Sequence, residues 1–90
     1  MYLPEDEAKA ARWYRKAADQ GHAQAQDNLG GIYWRGLGVP EDYAEAVRWY
    51  RKAADQGYAE AQYHLGEMYL RGQGVPKDEA KAVKWYRKAA

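Results

Sequence analysis

The sequence predicts an all-α solenoid of five helices arranged as antiparallel pairs, and three observations predict it. The first is repetition. Trp49-Tyr50-Arg51-Lys52-Ala53-Ala54-Asp55-Gln56-Gly57 also stands letter for letter from Trp13 to Gly21, and its first six residues return from Trp85 to Ala90. The three tryptophans are spaced 36 residues apart, a period that signals stacking of one supersecondary unit. The second is helical amphipathicity within each repeat, and the third is the shortness of the Gly- and Pro-bearing segments between helices.

The units 3–38, 39–74 and the half unit 75–90 align without gaps and make one domain over 1–90. The first helix runs from Glu5 to about Gln20. A second runs from Ala23 to Arg35 and stops at Gly36. In the central unit Pro40 pre-sets a helix start, Glu41 and Asp42 fall in the first turn, Arg51 and Lys52 approach the last, and Gly57 follows. That order places acids at the positive end of the helix dipole and bases at the other. At 100° per residue Ala46, Val47, Trp49, Tyr50, Ala53 and Ala54 share one side of this third helix, while Glu45, Arg48, Arg51, Lys52 and Asp55 share the other. The fourth helix, Ala59 to Arg71, copies the second and stops at Gly72. The fifth runs from Lys77 to the end. Gly30 and Gly66 interrupt helices at a cost of ~1 kcal/mol each relative to Ala, which predicts a close approach of neighbouring backbones there. Trp13, Trp49 and Trp85 belong to the constant scaffold and are assigned to core packing.

Ninety residues suffice for one small core. With 14 basic and 13 acidic side chains interspersed, the net charge of +1 leaves no basic stripe for a nucleic-acid backbone. No apolar run approaches the ~20 residues of a membrane span, and Met1-Tyr2-Leu3-Pro4 lacks the apolar core of a signal peptide. A cytoplasmic protein without nucleic-acid or membrane partners is the default expectation. Cys, Ser and Thr are absent, so nucleophilic catalysis of the Ser/His/Asp or Cys/His kind is excluded, as are disulfides and thiolate zinc sites. No cofactor motif occurs: Gly36-x-Gly38 and Gly72-x-Gly74 follow no strand and are not phosphate loops. The narrow alphabet, which also lacks Phe, has the character of an idealised or consensus chain and points to engineered origin.

The run Ala59-Glu60-Ala61-Gln62-Tyr63-His64-Leu65-Gly66-Glu67-Met68-Tyr69-Leu70-Arg71-Gly72-Gln73-Gly74-Val75-Pro76-Lys77-Asp78, continued by Ala80, Ala82, Trp85, Lys88, Ala89 and Ala90, closely resembles the Sel1-like repeats, relatives of the tetratricopeptide repeats. The resemblance covers almost the whole chain. It implies a right-handed superhelix that acts as an adaptor for other proteins, with Ala23–Arg35 and Ala59–Arg71 on the concave side and the Trp-Tyr helices on the convex side. Some secreted members staple each repeat with a disulfide; this chain has no Cys, so nothing special to that branch carries over.

Besides an apolar exchange at 32/68, the two copies of the expected concave helix differ at 24/60, 27/63, 28/64, 31/67 and 34/70, and these five positions span roughly a 120° arc of the helical wheel. The opposite arc, with Ala25, Gln26, Leu29, Gly30 and Tyr33, is identical in the second copy. Packing fixes one face and leaves the other free. Gln24, Asp27, Asn28, Trp34, Glu60, Tyr63, His64, Glu67 and Leu70, with the invariant Arg35 and Arg71, are therefore the candidate groove for a protein or peptide segment. The competing reading is a solvent-facing arc that varies without function, favoured by the small area that two helices offer against the ~800 Å² per partner of a standard interface. Trp34 is either an anchor for a partner or a shield over the next loop. Glu60, His64 and Glu67 have helical spacing that a metal could use, but Gln24, Asn28 and Gly31 offer no equivalent, so His64 is read as solvated or paired. His22 has no acidic partner for acid–base work. A solenoid of two and a half units without obvious caps also predicts self-association through its last helix at Val83, Trp85 and Tyr86, the alternative being a structural building block without a ligand.

Overall fold

In the computed structural model, which describes residues 4–90, five helices follow in order: α1 (Pro4–Asp19), α2 (Ala23–Arg35), α3 (Tyr43–Asp55), α4 (Ala59–Arg71) and α5 (Glu79–Ala89). No strand occurs among the described residues. The expected unit start at Leu3 lies outside them, as do Met1, Tyr2 and Leu3 of the stretch read as lacking the apolar core of a signal peptide. The helices stack into a rod of 40 × 23 × 21 Å, the expected all-α solenoid.

Both copies of the second helix have the predicted bounds, because Gly36 and Gly72 adopt the left-handed conformation (φ 70° and 67°) that turns the chain out of the helix. The third and fifth helices start later than the prolines suggested. Asp42 is the N-cap of α3, accepting a hydrogen bond from the Glu45 amide at 3.1 Å, and Asp78 caps α5 through the Lys81 amide at 3.0 Å. Their own amides donate to the carbonyls of Tyr33 and Tyr69, each at 2.9 Å. Pro40 and Glu41, like Pro76 and Lys77, are thus a lead-in pinned to the preceding helix rather than a first turn. Helix α1 has no earlier helix among the described residues to hold its lead-in, and it begins at Pro4.

The closest pairings are α2 with α3 and α4 with α5, across the boundary between the sequence units. Gly30 and Gly66 explain why, though in a different way from the one expected. A Cβ on Gly30 would lie 2.6 Å from the Tyr50 ring, and one on Gly66 would lie 2.9 Å from the Tyr86 ring. Each glycine makes a seat for the tyrosine of the following helix. At Gly66 backbone is also near, the Ala82 carbonyl standing 3.2 Å from that Cβ position. The inter-unit loops dock equally tightly: Gly74, at φ 73°, presses on the Tyr43 carbonyl, where any side chain would collide.

The core forms two clusters. One joins Ala11, Ala18, Ala25, Leu29, Ile32 and Trp49, while the other is built on α3 and α4 and closed by Ala82 of α5. Trp49, 4 % exposed, packs backward onto the preceding unit. This overturns the assignment of all three tryptophans to the core. Among the described residues no helix packs on Trp13 as α1 packs on Trp49, and Trp13 is 72 % exposed, while Trp85 is half-buried against the second cluster. Tyr86 is also half-buried and Val83 is exposed, whereas its counterpart Val47 is buried beneath the next loop. Buried glutamines tie successive helices: Gln26 donates to the Ala18 carbonyl and Gln62 to that of Ala54, at 3.1 and 3.2 Å.

Candidate functional site

Helices α2 and α4 run side by side along one face of the rod and leave between them an open groove of about 430 Å³. Its walls are the variable arcs of the two helices. From α2 come Asp27, Asn28, Trp34 and Arg35, and from α4 His64, Glu67 and Arg71, seven of the eleven residues expected on this face. Gln24 and Leu70 are exposed outside it. Glu60 and Tyr63 turn instead toward a second, shallower concavity at the C-terminal end, shared with His64, Tyr86, Ala89 and Ala90. There the Tyr63 and Tyr86 rings stand 5.4 Å apart.

The groove also contains residues that the two-copy comparison could not identify. Tyr50 forms part of its lining although it belongs to the constant motif, because the missing side chain at Gly30 lets the ring pass between α2 and α3. Glycine at that position was the available signal. Tyr14, Ile32, Leu37, Met68 and Gln73 supply more of the wall. Gln73 accepts a hydrogen bond from the Trp34 indole at 3.0 Å, so the half-buried Trp34 reaches the loop between α4 and α5 rather than the one that follows its own helix.

Three electrostatic features distinguish the two walls. His64 Nδ1 and Asp27 Oδ1 are 2.8 Å apart, bridging α4 and α2, and Asp27 is buried. That hydrogen bond raises the His64 pKa above its ordinary 6.5, against the opposing effect of burial and with further help from the Asp27, Glu67 and Glu60 charges. Glu67 pairs with Arg71 one turn on, at 3.2 Å. Arg35, the counterpart of Arg71, has no carboxylate within ion-pair distance among the described residues, because the counterpart of Glu67 is Gly31. At the floor, burial and the nearby Asp27 charge push the Tyr50 phenol far up, so it remains a neutral hydroxyl. Among the described residues no three His, Cys, Asp or Glu side chains, Glu60, His64 and Glu67 included, come together as a ligand group. Nor is any helix among them long and apolar enough to cross a membrane.

This arrangement offers a neutral donor, a free cation, an amide and apolar walls in one open trough.

Solved structures share the architecture. A protective antigen of uropathogenic Escherichia coli with an SLR fold is 49% identical over 91% of this chain, with a TM-score of 0.90. A Sel1 repeat protein from Oxalobacter formigenes is 46% identical over 88% of the chain at a TM-score of 0.87. Cysteine-rich protein B of Helicobacter pylori is 30% identical over 88% at 0.84. The chain spans 18%, 60% and 59% of those three proteins, respectively. No curated protein sequence matches it. The family model of the Sel1 repeat matches residues 1–22, 23–58 and 59–90 in succession. With that model spanning the whole chain and the same helix stack in its structural relatives, this chain belongs to the Sel1 repeat family.

Proposed function

We propose that this chain is a non-catalytic scaffold that holds a segment of another protein in the groove between α2 and α4. Sel1 repeats form a non-catalytic helical fold that generally mediates protein interactions, and an open groove lined by variable positions supports that reading here. The observation that carries the reading is the pattern of variation: Asp27, Asn28, Gly31 and Trp34 of one copy and His64 and Glu67 of the other, all at positions that differ between the two, line one groove, while most of the invariant arc is buried. A partner would lie along the groove, its apolar side chains against Ile32, Leu37 and Met68 and its polar groups toward Asn28 and Arg35. The test is a peptide-library selection against the chain and its Asn28→Trp variant, which fills the groove from a partly exposed position. Selected peptides should bind the variant at least about tenfold more weakly, a change of ~1.4 kcal/mol, with helicity unchanged. Tyr63→Ala, in the other concavity, should bind normally. Equal binding to the Asn28→Trp variant removes the groove from consideration.

A second reading is association between copies through the ends of the rod. It is supported by the exposure of Trp13 and Val83 and the partial exposure of Trp85 and Tyr86. Light scattering across a micromolar concentration series tests it, and a constant monomer mass is the contrary result.

A further inference from the structure

We infer that the groove selects a segment carrying a carboxylate, which docks in the notch at Gly31 against Arg35; this rests on the peptide-binding reading above and specifies its chemistry. The molecule contains its own template for the contact. In α4 the residues His64, Glu67 and Arg71 follow one another along the groove wall, and the Glu67 carboxylate neutralises Arg71 at 3.2 Å. In α2 the same three positions are Asn28, Gly31 and Arg35, all lining the same groove. The arginine has been kept and its carboxylate removed, together with the whole side chain that carried it.

The notch is open rather than filled from elsewhere. The nearest atom to a Cβ on Gly31 is the Tyr50 hydroxyl at 3.7 Å, an ordinary contact distance. The other carboxylates of the groove are already engaged, Asp27 by His64 and Glu67 by Arg71. Among the described residues, the Asn28 side chain makes no hydrogen bond. A carboxylate from a bound segment placed where Glu67 would project in this repeat meets the Arg35 guanidinium, with the Asn28 amide on one side and the Tyr50 hydroxyl below. A guanidinium with two neutral donors suits an anion with two oxygens. The contact is partly open to water, so its contribution is selectivity rather than tight binding.

The probe is a set of ten-residue peptides selected on the wild-type chain, each remade with its acidic positions as Glu or Gln and its C-terminus free or amidated. Fluorescence titration should show about a five- to tenfold preference for the form bearing the carboxylate. The Glu/Gln arm reports a side-chain source and the free/amidated arm a terminal one. In Arg35→Gln the preference should fall to about one. In Gly31→Glu, which restores the pairing seen at Glu67 and Arg71, it should also vanish, while thermal stability is kept or raised because glycine is replaced within a helix. Peptides that bind with no preference, or a preference that survives Arg35→Gln, overturn the inference and leave the groove as a peptide site. If no peptide binds in either form, the peptide reading falls with it.

Discussion

Tyr50 lies against Gly30 on one side and within 5.0 Å of the His64 ring on the other, so it has no free direction in which to retreat. Gly30→Ala therefore sets two effects against each other. Alanine gains ~1 kcal/mol of helix propensity, and overpacking a buried ring costs ~1–3 kcal/mol. The second should win, giving a net loss of up to about 2 kcal/mol in urea unfolding. Gly31→Ala, with nothing nearer than 3.7 Å, should instead gain up to ~1 kcal/mol. Other residues of the repeated motif have equally separable tasks. Arg51 donates to the Tyr69 hydroxyl of the following helix. Lys52 stands over the Trp49 ring at 4.9 Å, as Lys88 does over Trp85 at 4.7 Å. Arg15 covers Trp49 from α1 at 5.3 Å, although the indole N–H itself is buried without a partner among the described residues.

His64 gives the residue scale a pH dependence. Its pKa is raised in the folded chain, first by the Asp27 hydrogen bond, so the folded state binds the proton more tightly than the unfolded state does. The resulting stability is complete below the unfolded value near 6.5 and is lost as pH rises through the higher folded value. The groups facing His64 are Asp27 from α2, Tyr50 from α3, and Glu60 and Glu67 of its own helix. Because the pair is partly exposed, the effect should stay below about 1 kcal/mol. Imidazole shifts followed by NMR should place the midpoint above 6.5 and return it toward that value in Asp27→Asn. An unmoved midpoint would show that the bridge between α2 and α4 does not hold in solution.

At the scale of the element, identical sequence does not mean identical burial. Helices α1 and α3 share Arg-Trp-Tyr-Arg-Lys-Ala-Ala-Asp, yet Trp13 is exposed and Trp49 is buried. Trp49→Ala should cost ~3–5 kcal/mol, and Trp13→Ala within about 0.5 kcal/mol. Thermal melts of the two variants compare them directly, and similar losses would mean that Trp13 is covered in solution. Helix starts show the same dependence on neighbours. The second and fourth helices were legible to the residue because each begins and ends on local chemistry. The third and fifth were read early because proline announced a start, whereas their cap is the aspartate two residues on, held by a carbonyl of the preceding helix.

For the whole molecule, the order of helices decides what the ends can do. The rod begins and ends on helices of the same type. Placing the α1 of one copy on the α5 of another therefore does not continue the solenoid, which alternates the two types. The α1 face that bears Trp13 and the α5 face that bears Val83 are the exposed apolar surfaces available for contact between copies. Trp13→Glu and Val83→Glu should each lower any mass increase seen by light scattering as concentration rises. If association persists in both variants, it does not run through the ends. The two concavities also differ in their walls: the one between α2 and α4 is lined from both of those helices, while the other is lined by Tyr63 of α4 and Tyr86 of α5.

The period, the helical class, the bounds of two helices and the arc on which variation concentrates can all be read from the amino-acid order, because they are written in local spacing and in comparison of one copy with the other. That order also separates constant positions from variable ones. Only the tertiary structure decided which tryptophan is core, that Tyr50 reaches the groove through Gly30, that Asp27 pairs with His64 and that Arg35 is left without a carboxylate. The physical reason is that a solenoid buries each residue against the units before and after it. The same letters therefore meet different surroundings at the ends and in the middle, and a contact between residues 37 positions apart, as between Asp27 and His64, has no signature in either repeat alone.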